Sequence, residues 1–289
     1  MSRPTLFVAG AGGKLGQRVV ETLLSRGYDG KIIAGSRSPE KLDFPDLETR
    51  VADFGDLEGF TKALDGVDKL LIISVDVLGE ERVRLHGNAV GAAKAAGVKH
   101  VVYTSMADPE PGNPAPMAPG HYFTEQAIIA SGLDYTVLRI GWYAENLLQS
   151  LAQAIGSGTW YTASGKGLVS YGARADMADA IAGALLSDFE GKRVMTVTGT
   201  AANTIADVAA LASEVTGKPI KVVDVTDAEL EASLKQAGLP PEVASLLVSL
   251  DVLQRQGGLS MVTDAAERLS GKAPQDLRSF LAENTAALG

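Results

Sequence analysis

The sequence predicts an α/β fold built on a doubly wound parallel sheet, with a smaller, mainly helical C-terminal domain. Nearly continuous apolar runs alternate with helical patterns through the first 200 residues, which is typical of parallel strands that are buried on both faces. A glycine cluster separates the first apolar run from the first helical pattern, and the pattern becomes mainly helical after about Ala201. We therefore expect one large domain over residues 1–200 and a smaller one over residues 201–289.

Each strand of the predicted sheet corresponds to an apolar run. These strands are Thr5–Ala9, Lys31–Gly35, Thr49–Ala52, Lys69–Ser74, Val98–Thr104, Tyr135–Arg139 and Val194–Thr198. The helical patterns between them include Leu15–Arg26, Leu57–Leu64, Val83–Ala96 and Thr124–Ser131. Because right-handed crossovers place the carboxyl ends of all parallel strands along one edge, the ligand site of such a Rossmann-like domain is expected there.

Two segments depart from this alternation. The segment Ala107–Gly120 contains five prolines, which excludes a helix or an inner strand and leaves either a stiff surface loop or a lid beside the site. After Ala201, a helix that ends at Gly217 precedes a strand, and two further helices are separated by Pro240 and Pro241. We interpret residues 201–289 as a substrate or lid domain, with residues 141–170 contributing to the substrate cleft.

The glycine cluster lies where the first strand passes into the first helix. Its members are Gly10, Gly12, Gly13 and Gly16, in the segment "GAGGKLG", which also holds Lys14 and Leu15. A helix N-terminus favours an anion, and a backbone without side chains can approach a pyrophosphate closely. A plain glycine-rich turn is the alternative, but the position directly after the first strand favours dinucleotide binding.

The end of the second predicted strand indicates which dinucleotide is bound. NAD-binding proteins place a carboxylate there for the ribose 2′-hydroxyl. This chain instead has Ser36 and Arg37, with Lys41 four residues later at the expected start of the next helix. Arg37 suits a 2′-phosphate, and Lys41 and Lys14 are weaker candidates for the same role beside the alternative of ordinary surface cations. The prediction is NADP(H). Asp53 and Phe54, after the third strand, are expected to meet the adenine.

Composition excludes several classes of protein and of site. The chain has no cysteine, which removes disulfides and thiolate chemistry, and its net charge is −9, which argues against binding to nucleic acid or to an anionic membrane. It contains no long apolar stretch and no recognisable signal peptide, so we expect a cytoplasmic location. The three histidines are scattered, so no metal site is predicted; His86 and His100 are interpreted as surface residues.

The residues that flank the predicted edge limit the chemistry. Ordinary short-chain dehydrogenases pair a tyrosine with a lysine four residues later, but Tyr122 is followed at that spacing by Gln126, which cannot lower a tyrosine pKa as an ammonium does. Four residues are candidates to polarise an acceptor oxygen: Tyr122, Tyr143, His121 and Ser105. An ordinary structural role is the alternative for each of them. Trp142 could wall a flat ligand or pack between the domains.

Taken together, these motifs resemble those of the NmrA-like atypical short-chain dehydrogenases, and within them the type 2 NAD(P)H:quinone oxidoreductases, with the triphenylmethane reductases nearby. The resemblance rests on "GAGGKLG", "SRSPEKL", "VADFGD", "KLLIIS", "GNAVGAAKAAGVKHVVYTS", "HYFTEQ" and "YTVLRIGWYAENLL". It implies a Rossmann-like domain with a small C-terminal domain, NADPH at the glycine turn, and a quinone-type acceptor in the cleft, without flavin or metal.

The resemblance also assigns roles to individual residues. It implies cofactor contacts for Gly10, Gly13, Leu15, Arg37, Lys41, Asp53, Phe54 and Ser74. It places Thr104, Ser105 and the segment Gly141–Tyr143 near the nicotinamide, and the H-x-x-T-E motif falls on His121, Thr124 and Glu125. Two positions depart from the group: Gln126 stands where lysine is frequent, and Ile140 replaces an asparagine, so the identity of the substrate is open.

The leading hypothesis from the sequence is an NADPH-dependent reductase that transfers hydride to a quinone or a related conjugated acceptor. A non-catalytic NADP(H)-sensing regulatory protein is a second hypothesis, and a reductase of ketones, aldehydes or imines is a third. An epimerase or lyase that uses bound NAD is disfavoured by Arg37 and by the missing tyrosine–lysine pair. The sequence leaves a homodimer open.

Overall fold

The computed structural model describes residues 3–289, and its centre is a seven-stranded parallel sheet. Twelve strands occur in these residues: β1 (Leu6–Ala9), β2 (Ile32–Ser36), β3 (Glu48–Val51), β4 (Lys69–Ile72), β5 (His100–Met106), β6 (Asp134–Ile140), β7 (Trp142–Tyr143), β8 (Thr159–Thr162), β9 (Val169–Gly172), β10 (Lys192–Val197), β11 (Ala202–Asn203) and β12 (Lys221–Asp224). The main sheet has the order β10-β6-β5-β4-β1-β2-β3, so all seven predicted strands are confirmed within two residues at each end.

Helices cover both faces of this sheet. The described helices are α1 (Lys14–Ser25), α2 (Leu57–Ala63), α3 (Gly79–Ala95), α4 (Ala118–Ser131), α5 (Leu147–Ser157), α6 (Arg174–Leu186), α7 (Ile205–Thr216), α8 (Asp227–Gln236), α9 (Pro241–Arg255), α10 (Ala265–Ser270), α11 (Leu277–Glu283) and α12 (Thr285–Leu288). One apolar core lies between the sheet and α1, α6 and α10; a second lies between the sheet and α2, α3 and α4. The doubly wound fold predicted from the sequence is therefore confirmed.

The order of the strands determines where a ligand can bind. From β1 the chain proceeds outward to β2 and β3 and then returns to β4 on the other side of β1. Such a reversal opens a crevice at the carboxyl ends of the two central strands, which is where open α/β sheets bind ligands. The crevice here lies between β1 and β4.

The C-terminal helices and two small sheets form a third layer above this edge. Strand β9 pairs with β7 and β11, and β8 pairs with β12, so segments from before and after the last strand of the main sheet pack together. A third apolar core joins α5, α7, α9 and α11 to the end of β5. Helix α10 returns to the main domain and packs on α6. Among residues 3–289, no helix combines the length and apolar character needed to cross a membrane.

Three local expectations were wrong. Helix α4 begins at Ala118 rather than Thr124, so the end of the proline-rich segment is helical; Pro119 is tolerated because a first-turn proline loses no helical hydrogen bond. Lys41 closes a short 3₁₀ turn instead of starting a helix. His86 and His100 are buried, not on the surface.

Buried hydrogen bonds explain the positions of these histidines. The backbone N–H of Val75 donates to Nε2 of His86 at 3.1 Å, so Nδ1 carries the proton and donates to Thr124 Oγ1 at 2.9 Å. His100 Nε2 lies 3.0 Å from Thr136 Oγ1, and the third histidine, His121, is also buried. Burial lowers the pKa of His86 and of His121 to about 3, with the charge of Arg82 adding to the effect, and lowers the pKa of His100 to about 4.

We expect these histidines to make folding stability depend on pH. In the unfolded chain each imidazole takes up a proton near pH 6.5, whereas in the folded protein it stays neutral to about pH 3 or 4. Their contribution is therefore fully present above pH 6.5 and is lost as the pH falls toward 4, by about 2 kcal/mol for each histidine between pH 7 and pH 5. Urea unfolding at the two pH values measures this loss, and His100→Gln should remove the share of one histidine. An imidazole proton resonance that titrates near pH 6.5 in the folded protein would contradict the prediction.

Candidate functional site

The glycine turn is a close packing of backbone on backbone at the end of β1. Gly10 has a φ of +98°, a conformation that glycine adopts without strain. A Cβ atom on Gly16 would lie 2.1 Å from the carbonyl oxygen of Gly10, so helix α1 can approach the turn only because residue 16 has no side chain. A Cβ on Gly12 would lie 3.0 Å from Ser36 Oγ, which places the end of β2 directly beside the turn.

Helix α1 begins at this turn with its first amides available. Gly13 is the N-cap residue, and no side chain of residues 3–289 caps the helix. A Cβ on Gly13 would make only an ordinary van der Waals contact, 3.5 Å from the carbonyl oxygen of Gly10. Unpaired N–H groups at the start of a helix form a cradle suited to a phosphate. Phosphate binding at this turn stays a prediction.

Unpaired cations surround the cradle. Lys14, Arg37 and Lys41 are exposed, and none forms an ion pair with a carboxylate in the part of the chain that the structure describes. Asp53 is exposed after β3, where its Oδ1 accepts from the N–H of Gly55. The ring of Phe54 is instead packed in the core, 5.0 Å from the ring of Phe60, so stacking of that ring on an adenine is disfavoured.

Buried side chains hold the loop that follows β4. The N–H of Ser74 donates to Thr104 Oγ1 at 3.0 Å, and the N–H of Val75 donates to His86. The guanidinium of Arg82 donates to the carbonyl oxygens of Val75 and Val77 from within the core. Sequence reasoning missed Arg82 because an arginine in a helical pattern is ordinarily on the surface. The side of the crevice formed by residues 74–77 is thus a fixed wall.

A chain of charged side chains crosses the ends of β5 and β6. Ser105 donates to Glu125 at 2.6 Å, and Glu125 accepts a two-pronged contact from Arg139, at 2.7 and 3.0 Å. Arg139 also donates to Glu110 at 2.9 Å. Because the hydroxyl hydrogen of Ser105 is directed to Glu125, Ser105 presents an acceptor rather than a donor to a ligand. The predicted role of Ser105 in polarising an oxygen is not favoured by this geometry.

The face of helix α4 that packs on the sheet carries His121 and Glu125, not Tyr122 and Gln126, the two positions with the tyrosine–lysine spacing. His121 and Glu125 face inward and are buried, whereas Tyr122 is half-buried and Gln126 is exposed. His121 Nδ1 lies 2.8 Å from the hydroxyl of Tyr103, so this nitrogen is already engaged. The inward face of α4 therefore carries no tyrosine activated by an ammonium.

Tyr143 and its neighbours lie at the carboxyl end of β6. Trp142 and Tyr143 form β7 and are both half-buried, while Ile140 is in the core beneath them. The guanidinium of Arg174 lies 5.2 Å from the centroid of the Tyr143 ring, and the Glu145 carboxylate accepts from the N–H of Arg174 at 2.9 Å. Burial raises the pKa of Tyr143 to about 12, so its phenol is a protonated donor at neutral pH. Its hydroxyl makes no hydrogen bond with the described residues.

Two features of the site were not identified from the sequence. Arg174 lines a cleft with Lys14, Gln17 and Arg18 between α1 and α6, although these residues are far apart in the chain. The ion pair between Glu125 and Arg139 was also not identified, although Glu125 belongs to the H-x-x-T-E motif. Among residues 3–289, no group of three histidine, aspartate or glutamate side chains is arranged to hold a metal ion.

Known proteins resemble this chain in both sequence and fold. The pattern of a family described as NAD(P)H-binding matches residues 10–188. Quinone oxidoreductase 2 of Escherichia coli (strain K12) is 36% identical over 269 residues, which covers 92% of this chain and 93% of that protein.

Solved structures give the same result. The structure of an NADPH-dependent quinone oxidoreductase from Escherichia coli, in complex with NADPH, superposes on this chain with a TM-score of 0.90. The two sequences are 35% identical, over 97% of this chain and 100% of the other. The triphenylmethane reductase of a Citrobacter species superposes with a TM-score of 0.89 at 31% identity, over 98% of this chain and 99% of the other.

We expect Gly16→Ala to destabilise the fold and Gly13→Ala to leave it nearly unchanged. The first places Cβ 2.1 Å from a backbone oxygen and the second 3.5 Å. Displacement of α1 should cost about 3 kcal/mol, against less than about 1 kcal/mol for an alanine at the N-cap. Thermal unfolding of the two variants measures the difference, and equal melting temperatures would show that α1 does not depend on this approach.

Proposed function

Because this chain belongs to the NAD(P)H-binding family, we propose that it is an NADPH-dependent oxidoreductase that reduces quinones or related conjugated acceptors. The relatives whose names carry this activity align over nearly the whole chain. The finer parts of the proposal are the preference for NADPH, the acceptor class and the residues that contact each.

The cradle at the start of α1 fits the pyrophosphate of a dinucleotide. The backbone of Gly10, Gly12, Gly13, Lys14 and Leu15 would face the phosphates, since no side chain of the described residues caps the first turn of α1. Arg37 and Lys41 would contact the 2′-phosphate, since both cations lie unpaired beside the turn among the described residues. Asp53 would face the adenine, and Ser74 and Thr104 would line the nicotinamide half. Bound NADPH supplies a hydride from its nicotinamide ring.

The hydrogen bonds on the inward face of α4 support a quinone-type acceptor. The inward-facing polar groups of α4 are largely engaged, with Nδ1 of His121 bonded to Tyr103 and Glu125 bonded to Ser105 and Arg139. A site of this kind has no tyrosine activated by a lysine, the usual pair that protonates the alkoxide formed when a simple ketone accepts hydride. A quinone that accepts hydride becomes a stabilised phenolate that solvent can protonate, so the protein needs mainly to position the acceptor and exclude water.

Tyr143 and Trp142 are the residues best placed to hold the acceptor. The free hydroxyl of Tyr143 can donate to an acceptor oxygen, and its raised pKa keeps it protonated across the physiological range. Trp142 packs against the third apolar core with Met117, and both side chains retain exposed surface. Together these residues suit a flat, conjugated ligand.

Oxidation of NADPH, and separately of NADH, by the purified protein tests this function. The acceptors are a benzoquinone, a naphthoquinone, an enone, a ketone and an aldehyde. Turnover with the quinones alone is expected. Turnover with the ketone and aldehyde would assign carbonyl reduction instead, and tight NADPH binding without any turnover would favour a regulatory sensor.

Arg37→Glu should separate the two dinucleotides. Loss of the guanidinium and introduction of a carboxylate should weaken NADPH binding by about 100-fold, because charge-assisted bonds to the 2′-phosphate are lost, and should leave NADH binding within about threefold. Fluorescence titration of both dinucleotides measures the effect. Lys166→Glu is the matched control, since it changes the net charge equally at an exposed position in the C-terminal layer. Equal loss of affinity for both dinucleotides would show that Arg37 does not read the 2′-phosphate.

A further inference from the structure

Arg139 joins the carboxyl ends of β5 and β6 to the proline-rich segment. The proposed reaction does not by itself require this connection. Its inner contacts go to Glu125, whose side chain is 2% exposed and which in turn orients Ser105. Its outer contact goes to Glu110, whose side chain is 51% exposed. Glu110 belongs to the proline-rich segment 107–117, so one guanidinium ties this segment to the carboxyl ends of β5 and β6.

The segment lies between the main sheet and the C-terminal layer. Ala107 and Ala115 are buried in the third apolar core, which also contains Leu253 and Leu259 from the C-terminal region. A Cβ on Gly258 would lie 2.9 Å from Asp108 Oδ2, so the start of the segment touches the loop that follows α9. The same core receives Trp142 and Met117.

The backbone of the segment is held in a specific shape. Asp108 has a φ of +50°, and no other non-glycine residue among residues 3–289 has a positive φ. Such a conformation persists where surrounding contacts impose it. Asn113 donates to the carbonyl oxygen of Asp108 and accepts from the N–H of Ala115, so the turn is closed internally. The contact between Glu110 and Arg139 is therefore the ionic link between this turn and the sheet.

We propose that the Glu110–Arg139 pair latches segment 107–117 against the carboxyl ends of β5 and β6, and thereby limits the size of acceptor that fits beside Trp142. Glu110 is then a specificity-determining residue that contacts neither cofactor nor acceptor. With the latch closed, small flat acceptors are favoured over larger ones. The inference rests on the proposed reductase function for its kinetic consequence, but the latch itself is a property of the fold.

Glu110→Ala is the variant that tests the latch. Because Glu110 is half exposed, its removal leaves no buried group unpaired, whereas replacement of Arg139 would leave the buried Glu125 uncompensated. Glu283→Ala is the matched control, since it removes the same charge from an exposed position at the end of α11.

Two measurements are made on both variants and on the unchanged protein. Hydrogen–deuterium exchange should be about fivefold faster in peptides covering residues 107–117 of Glu110→Ala, the factor that an ion pair of this exposure can hold, and unchanged in Glu283→Ala. The ratio of KM for a naphthoquinone to KM for a benzoquinone should fall by about the same factor in Glu110→Ala, with the Kd for NADPH unchanged.

Each measurement can overturn the inference. Unchanged exchange in segment 107–117 would show that Glu110 does not hold it. Faster exchange with an unchanged KM ratio would show that the segment does not limit acceptor size. If the unchanged protein reduces no acceptor, the proposed function fails while the exchange experiment still decides whether the latch exists.

Discussion

The approach of helix α1 to the glycine turn is the contact on which the arrangement of the site depends. Gly16 lies against the carbonyl of Gly10 with no room for a side chain. This contact aims the first amides of α1 at the crevice between β1 and β4, and it brings the end of β2 beside the turn through Ser36 and Gly12. The helix also packs on α6, so its position influences the helix that presents Arg174.

The remainder of the edge is organised by polar groups that face inward rather than toward solvent. His86 and Arg82 bind the loop after β4, and Glu125 and Arg139 bind the ends of β5 and β6. Burial of charge is unfavourable unless every partner is present. Apart from the buried Nη1 of Arg82, which has no partner among the described residues, the hydrogen-bonding capacity of these groups is largely consumed. The backbone of the turn, the exposed cations and the Tyr143 hydroxyl are left for ligands.

The sequence predicted those features that depend on local pattern. The seven strands follow from apolar runs, and the glycine turn follows from its position after the first of them. Features that depend on partners distant in the chain were not predictable. His86 is buried because Thr124 lies opposite it on α4. His121 and Glu125, rather than Tyr122 and Gln126, face inward on that helix because they bond to Tyr103 and Ser105 of the sheet. The burial of Phe54 reflects packing on Phe60, which the local motif does not reveal.

The rigid loop after β4 has a kinetic consequence. Its backbone is already ordered by Thr104, His86 and Arg82, so a dinucleotide that enters the crevice does not need to order it. Association should then be governed by diffusion, by the orientation of the ligand and by attraction to the exposed cations beside the turn, which is stronger for a dinucleotide with a 2′-phosphate. Discrimination between the two dinucleotides would then appear in the association rate and its dependence on salt, as well as in the dissociation rate.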